Sequence, residues 1–184
     1  MEQEVHVKLQ PLDRESFRPY GQVLGLKSPV FPEVDGSHVL LMSRLKRGSR
    51  PGQVDQFAVH FSYSQSFLPL KGSMALVVAP PPRNPDARPE KYELDYNKVA
   101  AFVMEPGDVV LIDRGTWHTV VPLGAECLMM SGTRKGSQQY SADTGELEAG
   151  RIPVSYDPEA KKATPFIEYA DVRKRDNRVI VLEL

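Results

Sequence analysis

Cysteine is nearly missing from this chain: Cys127 is the only one in 184 residues. A single thiol excludes an internal disulfide framework and a cysteine-based zinc site, and it points to a reducing compartment, so the cytoplasm is the expected location. Also missing is any run of about eighteen apolar residues such as a membrane-spanning helix needs. The opening "MEQEVHVKLQ" carries charges where a signal peptide would be apolar, so a soluble, unexported protein is expected. Charge of one sign is absent too, since 23 Lys and Arg face 24 Asp and Glu for a formal net charge of -1. That balance leaves no electrostatic footprint for nucleic acid or an acidic membrane surface, and it suits a small-molecule partner better.

Long helical windows are scarce as well. Sixteen prolines are scattered among thirteen glycines, and an interior proline removes a backbone donor and clashes with the preceding turn. What is there instead is a series of short β-like runs: 38–45, 57–63, 73–79, 99–104, 108–112, 118–123, 126–132 and "RVIVLEL" at 178–184. Their spacing matches a sandwich or barrel, and the length suits one domain over residues 1–184 with a real core. One short peripheral helix is expected in "LDRESFRPYG", with Asp13 as its N-cap and Pro19 and Gly21 closing it. Two stretches have no period. Residues 79–97, with five prolines, read as a stiff spacer or as a lid beside a pocket, and residues 133–151 are polar. In the tail, "TPFIEYADV" (164–172) is a further strand or a covering arm.

The chemistry-bearing stretch is "GDVVLIDRGTWHTVVP" (107–122). Gly107 opens a strand, the Asp113-Arg114-Gly115 turn reverses the chain, and His118 lands on the inward face of the returning strand. Trp117 then alternates to the opposite face as a packing anchor, and Cys127 in its apolar run is a core residue. The spacing resembles the second motif of the cupin superfamily, Gly-x5-Pro-x-Gly-x2-His-x3-Asn, with Asp113 and Pro122 in place of the proline and asparagine. The first cupin motif is present upstream in reduced form. Seven residues before Gly72, Gln65 stands where a cupin holds its glutamate; His60 takes the place of the second histidine, and Ala58 that of the first. The resemblance implies a mainly β, cupin-type barrel (a double-stranded β-helix, or jelly-roll-like sandwich) with one or two short helices.

Within the cupins, the chain resembles the ureidoglycolate lyase family. The likeness runs from "VKLQPLDRESFRPYGQVL" through Arg44, His60, "QSFLPLKG" and "AFVMEPGDVVLIDRGTWH" to Leu123, over about residues 7–131. Residues 132–184 are read as a divergent loop and C-terminal extension of the same domain. The resemblance implies a carbon–nitrogen (amidine-type) lyase that cleaves ureidoglycolate to glyoxylate and urea in allantoin and purine catabolism, and a homodimer to which "RVIVLEL" would add an edge strand. It requires a group for the carboxylate, a base for the hydroxyl proton and an acid for the leaving nitrogen. His60 and His118 have the ordinary pKa for base and acid. Alternatively, His60, Gln65 and His118 would hold a divalent metal such as nickel. Arg44, Lys71 and Arg114 are the cationic substrate-binding candidates, with Gln65 beside them. Two other readings stay open: another cupin enzyme, metal-dependent or acting on a different small hydroxy or ureido acid, and a non-catalytic cupin that binds such an acid.

Overall fold

Strand alternation sorts this chain into two cores on either side of one sheet. The computed structural model describes residues 2–87, 91–134, 156–157, 162–163 and 168–183. Eight strands form the larger sheet: β1 (Gln3–Pro11), β4 (Gln53–Val54), β5 (Gln56–Val59), β7 (Met74–Ala79), β8 (Ala100–Met104), β10 (Trp117–Pro122), β14 (Glu168–Asp171) and β15 (Arg178–Glu183). Their order is β14-β5-β10-β7-β8-β1-β15-β4. The second sheet takes β2 (Gly21–Val23), β3 (His38–Lys46), β6 (Gln65–Lys71), β9 (Val110–Ile112) and β11 (Glu126–Arg134) in the order β2-β9-β6-β11-β3. A separate pair joins β12 (Tyr156–Asp157) to β13 (Lys162–Ala163). The result is the mainly β, cupin-type sandwich that the resemblance implies, and no described helix is long and apolar enough to cross a membrane.

The inner core lies between the two sheets. Phe67, Val110, Ile112, Cys127 and Met129 meet Met74, Leu76, Val78, Phe102 and Met104 there. The outer core lies on the far face of the larger sheet, where Phe57, Val59, Val77, Ala79 and Trp117 are covered by Val7, Ile180, Val172, Tyr92 and Leu94. Burying each such large apolar side chain contributes about 1.5–3 kcal/mol.

Several expectations are corrected by this packing. The helix α1 (Arg14–Phe17) is capped by Asp13, whose carboxylate accepts from the Glu15 and Ser16 amides at 2.9 and 3.0 Å. It is not purely peripheral, because Phe17 is fully buried and meets Phe102 edge-on at 5.2 Å. The stretch expected to add to a partner's edge is β15, which pairs parallel with β1 of the same chain from Gln3↔Arg178 to Lys8↔Glu183 and, at Ile180 and Val181, with β4 on its other side. The described part of the proline-rich loop packs on the outer core, where it buries Tyr92 and Leu94, and Arg83 pairs with Asp95 at 2.6 Å; residues 88–90 lie outside the described residues. Of the tail stretch 164–172, residues 168–171 form β14 on β5, while 164–167, like 135–151, lie outside the described residues. The strand β6 escaped the sequence reading because it contains Pro69. Its missing donor is tolerated there, since β9 pairs only with Gln65–Phe67 and the β11 register shifts beside it.

Candidate functional site

The turn after β9 places His118. Gly115 has φ +80, a left-handed conformation that favours glycine. Its N–H donates to the His60 carbonyl at 2.7 Å, so one hydrogen bond ties together the two histidine-bearing segments. Three residues on, His118 lies in β10 between Val78 of β7 and Ala58 of β5. Paired antiparallel residues share a face, so Ala58 stands beside His118 where the cupin pattern has its first histidine. His60 follows Ala58 by two residues, on the same inward side.

Backbone carbonyls set both imidazole tautomers. His60 Nδ1–H donates to the Tyr63 carbonyl at 2.7 Å, and His118 Nδ1–H donates to the Thr116 carbonyl at 2.9 Å. In the neutral rings each Nε2 is therefore a lone pair. The rings sit 4.8 Å apart between centroids at 71°, and Tyr63 stacks on His60 at 3.7 Å and 10°. Burial pushes the His60 pKa down to about 4. Burial, then the neighbouring His60, pushes that of His118 down to about 3. Both are neutral at pH 7. Gln65 Oε1 stands 3.0 Å from His60 Nε2. Two acceptors cannot bond each other, so the amide either turns its NH2 to the ring or shares a cation with it.

The opposing wall becomes polar at this end. Along β11 the inward positions run Cys127, Met129, Ser131, Thr133, all buried, and Ser131 pairs with Phe67, whose ring lies 5.9 Å from His118. Sequence reasoning missed Tyr63, Ser131 and Thr133. For the last two the signal was in "ECLMMSGTR", where every second residue goes from apolar to hydroxyl-bearing.

Of the six sequence-predicted residues, the structure brings together His60, Gln65 and His118. Arg44 is turned away, because Ser43 and Leu45 are the buried residues of β3; its side chain is 47% exposed and pairs with Glu126 at 2.9 Å. Lys71 is exposed at the far end of β6, six residues and about 20 Å along the strand from Gln65. Arg114 lies in the turn and pairs with Glu33 and Asp35 at 3.2 and 3.1 Å.

No cluster of three or more His, Cys, Asp or Glu suited to a metal exists among the described residues. The His60 and His118 Nε2 lone pairs and the Gln65 oxygen are neutral donors of the kind divalent metals accept. Without an anionic ligand they would hold such an ion weakly.

A ureidoglycolate lyase from Chelativorans sp. (strain BNC1) is 29% identical over 137 residues, covering 64% of this chain and 78% of that protein. Among solved structures, an oxalate decarboxylase of Bacillus subtilis is similar at 13% identity and TM-score 0.38, over 68% of this chain and 27% of that one. A dTDP sugar isomerase from Desulfovibrio desulfuricans G20 is similar at 15% and 0.38, over 72% and 73%. The family model described as Ureidoglycolate lyase matches residues 33–149, a span that takes in His60, Gln65 and His118 and more than half of the chain, which therefore belongs to the ureidoglycolate lyase family.

Proposed function

We propose that this protein cleaves ureidoglycolate to glyoxylate and urea, as a carbon–nitrogen (amidine-type) lyase of cytoplasmic allantoin and purine catabolism. The observation that carries the reading is the buried, neutral His60–His118 pair with both Nε2 lone pairs set by backbone carbonyls. The substrate is a carbinolamine. Taking its hydroxyl proton lets the carbonyl form as the carbon–nitrogen bond breaks, and the departing ureido nitrogen takes up a proton, so no water is consumed.

His118 suits the base. Its Nε2 makes no hydrogen bond among the described residues, whereas His60 Nε2 faces Gln65. A pKa near 3 suits a free site better than a working base, but an anionic substrate in the same pocket favours the protonated ring and raises it. The proton gained there can pass to the leaving nitrogen, which makes His118 base and acid in turn. With Arg44 turned outward and Lys71 at the far end of β6, the Gln65 amide and the Ser131 and Thr133 hydroxyls are donors among the described residues that suit the carboxylate. Alternatively, a divalent metal such as nickel, held by His60, Gln65 and His118, would supply Lewis acidity and the missing positive charge. His118 cannot be free base and metal ligand at once.

The test is glyoxylate release from ureidoglycolate by the purified protein, before and after chelation and with divalent metals restored. Turnover that survives chelation supports His118 as base; turnover lost on chelation and regained with metal supports the ligand role. Absence of turnover in every state overturns the reading in favour of another small hydroxy or ureido acid, or of a binding protein. A homodimer belongs to the same proposal. Leu40 and Met42, 63% and 56% exposed on the outer face of edge strand β3, would support contact with a second copy, and light scattering on the eluting protein checks its mass.

A further inference from the structure

One side chain joins the turn that delivers His118 to the segment that carries His60. Arg114 Nε lies 3.2 Å from a Glu33 carboxylate oxygen, and Arg114 Nη2 donates to Asp35 at 3.1 Å. Glu33 and Asp35 flank Val34, and this short segment is laced to residues 62–64. The Glu33 N–H donates to Ser64 Oγ at 2.8 Å, the Ser64 N–H to the Glu33 carbonyl at 2.8 Å, and the Asp35 N–H to the Ser62 carbonyl at 2.9 Å. Tyr63, bridged to Val34, sits at the centre of that lacing. It is the residue that stacks on His60 and accepts its Nδ1–H. On the other side, the residue after Arg114 is Gly115, which donates to the His60 carbonyl. Arg114 thus closes a ring of contacts through 33–35, 62–64, His60 and Gly115.

Its charge environment does not suit an anionic ligand. Glu33 and Asp35 already engage the guanidinium, and Asp113 precedes it in the turn, with its carboxyl pushed up by burial and by Glu33. A substrate carboxylate placed on Arg114 would meet three acidic side chains. The Nε of Arg134 donates to the Asp35 backbone carbonyl, which further anchors the segment.

We propose that Arg114 is a positioning residue: through Glu33 and Asp35 it holds the His60 and His118 loops in register and does not bind the substrate. This rests on reading the two histidines as the reacting pair. Misplacing reacting groups by about 1 Å can cost about 100-fold in rate, so Arg114→Ala is expected to lower kcat by about 10- to 100-fold while KM stays within about twofold. Glu33→Gln combined with Asp35→Asn keeps the arginine but removes its partners, and should reproduce the effect. Arg114→Lys, which keeps the charge without the fork, should recover part of it.

The second readout is the pair of imidazole Nδ1–H signals in nitrogen-15 NMR of the full chain. Positioning by Arg114 predicts that both broaden or vanish in the alanine variant and in the double variant, with cooperative melting retained. A KM raised tenfold or more at unchanged kcat, with both signals intact, would overturn the proposal and make Arg114 a substrate ligand. If the wild-type protein does not turn over ureidoglycolate, the NMR arm still decides: signals unchanged in the double variant would sink the positioning role, whatever the substrate. If Arg114→Ala alone fails to fold, the double variant carries the test.

Discussion

Trp117 and His118 are neighbours in the chain and opposites in the fold. Trp117 points into the outer core, 1% exposed, edge-on to Tyr92 at 6.5 Å. His118 points into the inner core, 4% exposed, against His60 and Phe67. Both are buried, but the walls differ. The outer core is closed by apolar groups from remote parts of the chain, from Val7 to Ile180. The inner core ends in Gln65, Ser131 and Thr133, and His118 keeps its Nε2 for a partner while His60 Nε2 faces Gln65. Adjacent strand positions can therefore carry stability and chemistry separately, because alternation sends them to different neighbours.

The sharpest break of that contrast is a pair of truncations. His118→Ala should lower turnover by about 100- to 10,000-fold, with a cooperative thermal melt retained. Trp117→Ala should cost about 3–5 kcal/mol of stability and leave kcat per folded molecule near the wild-type value. Urea unfolding beside steady-state assays separates the two. If His118→Ala abolished cooperative melting, the histidine would be a core residue like its neighbour.

A second pair concerns the turns. In Gly115→Ala a new Cβ would stand 2.7 Å from the Phe61 ring, in a left-handed conformation that costs roughly 1–2 kcal/mol, and it would disturb the bond to the His60 carbonyl. Gly72→Ala meets the Glu126 carbonyl oxygen at 2.7 Å with φ +77, at the opposite end of the barrel. Both variants should melt earlier, but only Gly115→Ala should also lose turnover in its folded fraction. Equal activity in the two would show that the Gly115 turn does not position the pair.

Acid should separate the two cores as well. His60 and His118 titrate at about 4 and about 3 in the folded protein, against about 6.5 in an unfolded chain. Below about 6.5 the unfolded chain binds protons first, so stability is fully present above that pH and falls as pH drops toward 4 and 3. Denaturant midpoints from pH 7 to pH 4 should trace this loss. His118→Asn should flatten the slope, and Trp117 variants should leave it unchanged. The smallest effect belongs to Arg44→Ala. An exposed ion pair with Glu126 is worth about 0–1 kcal/mol, and an outward side chain should leave KM unchanged; a tenfold rise in KM would return Arg44 to the site.

The parts of the site legible in the sequence were those governed by short-range spacing. Gly107 to His118 and His60 to Gly72 each lie within one strand–turn unit, so counting residues located both histidines and Gln65. The cationic residues were not legible in that way. The outward turn of Arg44 was hidden by parity, since "HVLLMSRLK" is apolar at both parities and only contact with β11 reveals that Ser43 and Leu45 face inward. The place of Lys71 was hidden by its distance along β6. Tyr63 was hidden because its part depends on a three-residue reversal that returns its carbonyl to His60. The packing of the proline-rich loop was hidden for a related reason: composition makes it irregular, but where it packs depends on Trp117 and the C-terminal helix α2 (Val172–Asp176), whose Arg175 donates to the Tyr92 carbonyl at 2.9 Å.

By itself the sequence determined the β class, the glycine turn before His118 and the separation of Trp117 from His118, because φ preferences and a period of two act within a few residues. Only the tertiary structure decided that β15 closes on β1, that the arginines face outward or into ion pairs, and that His60 meets both Gln65 and His118. Those outcomes depend on which strands become neighbours and on how much water burial removes from each side chain, and neither quantity resides in a local stretch of chain.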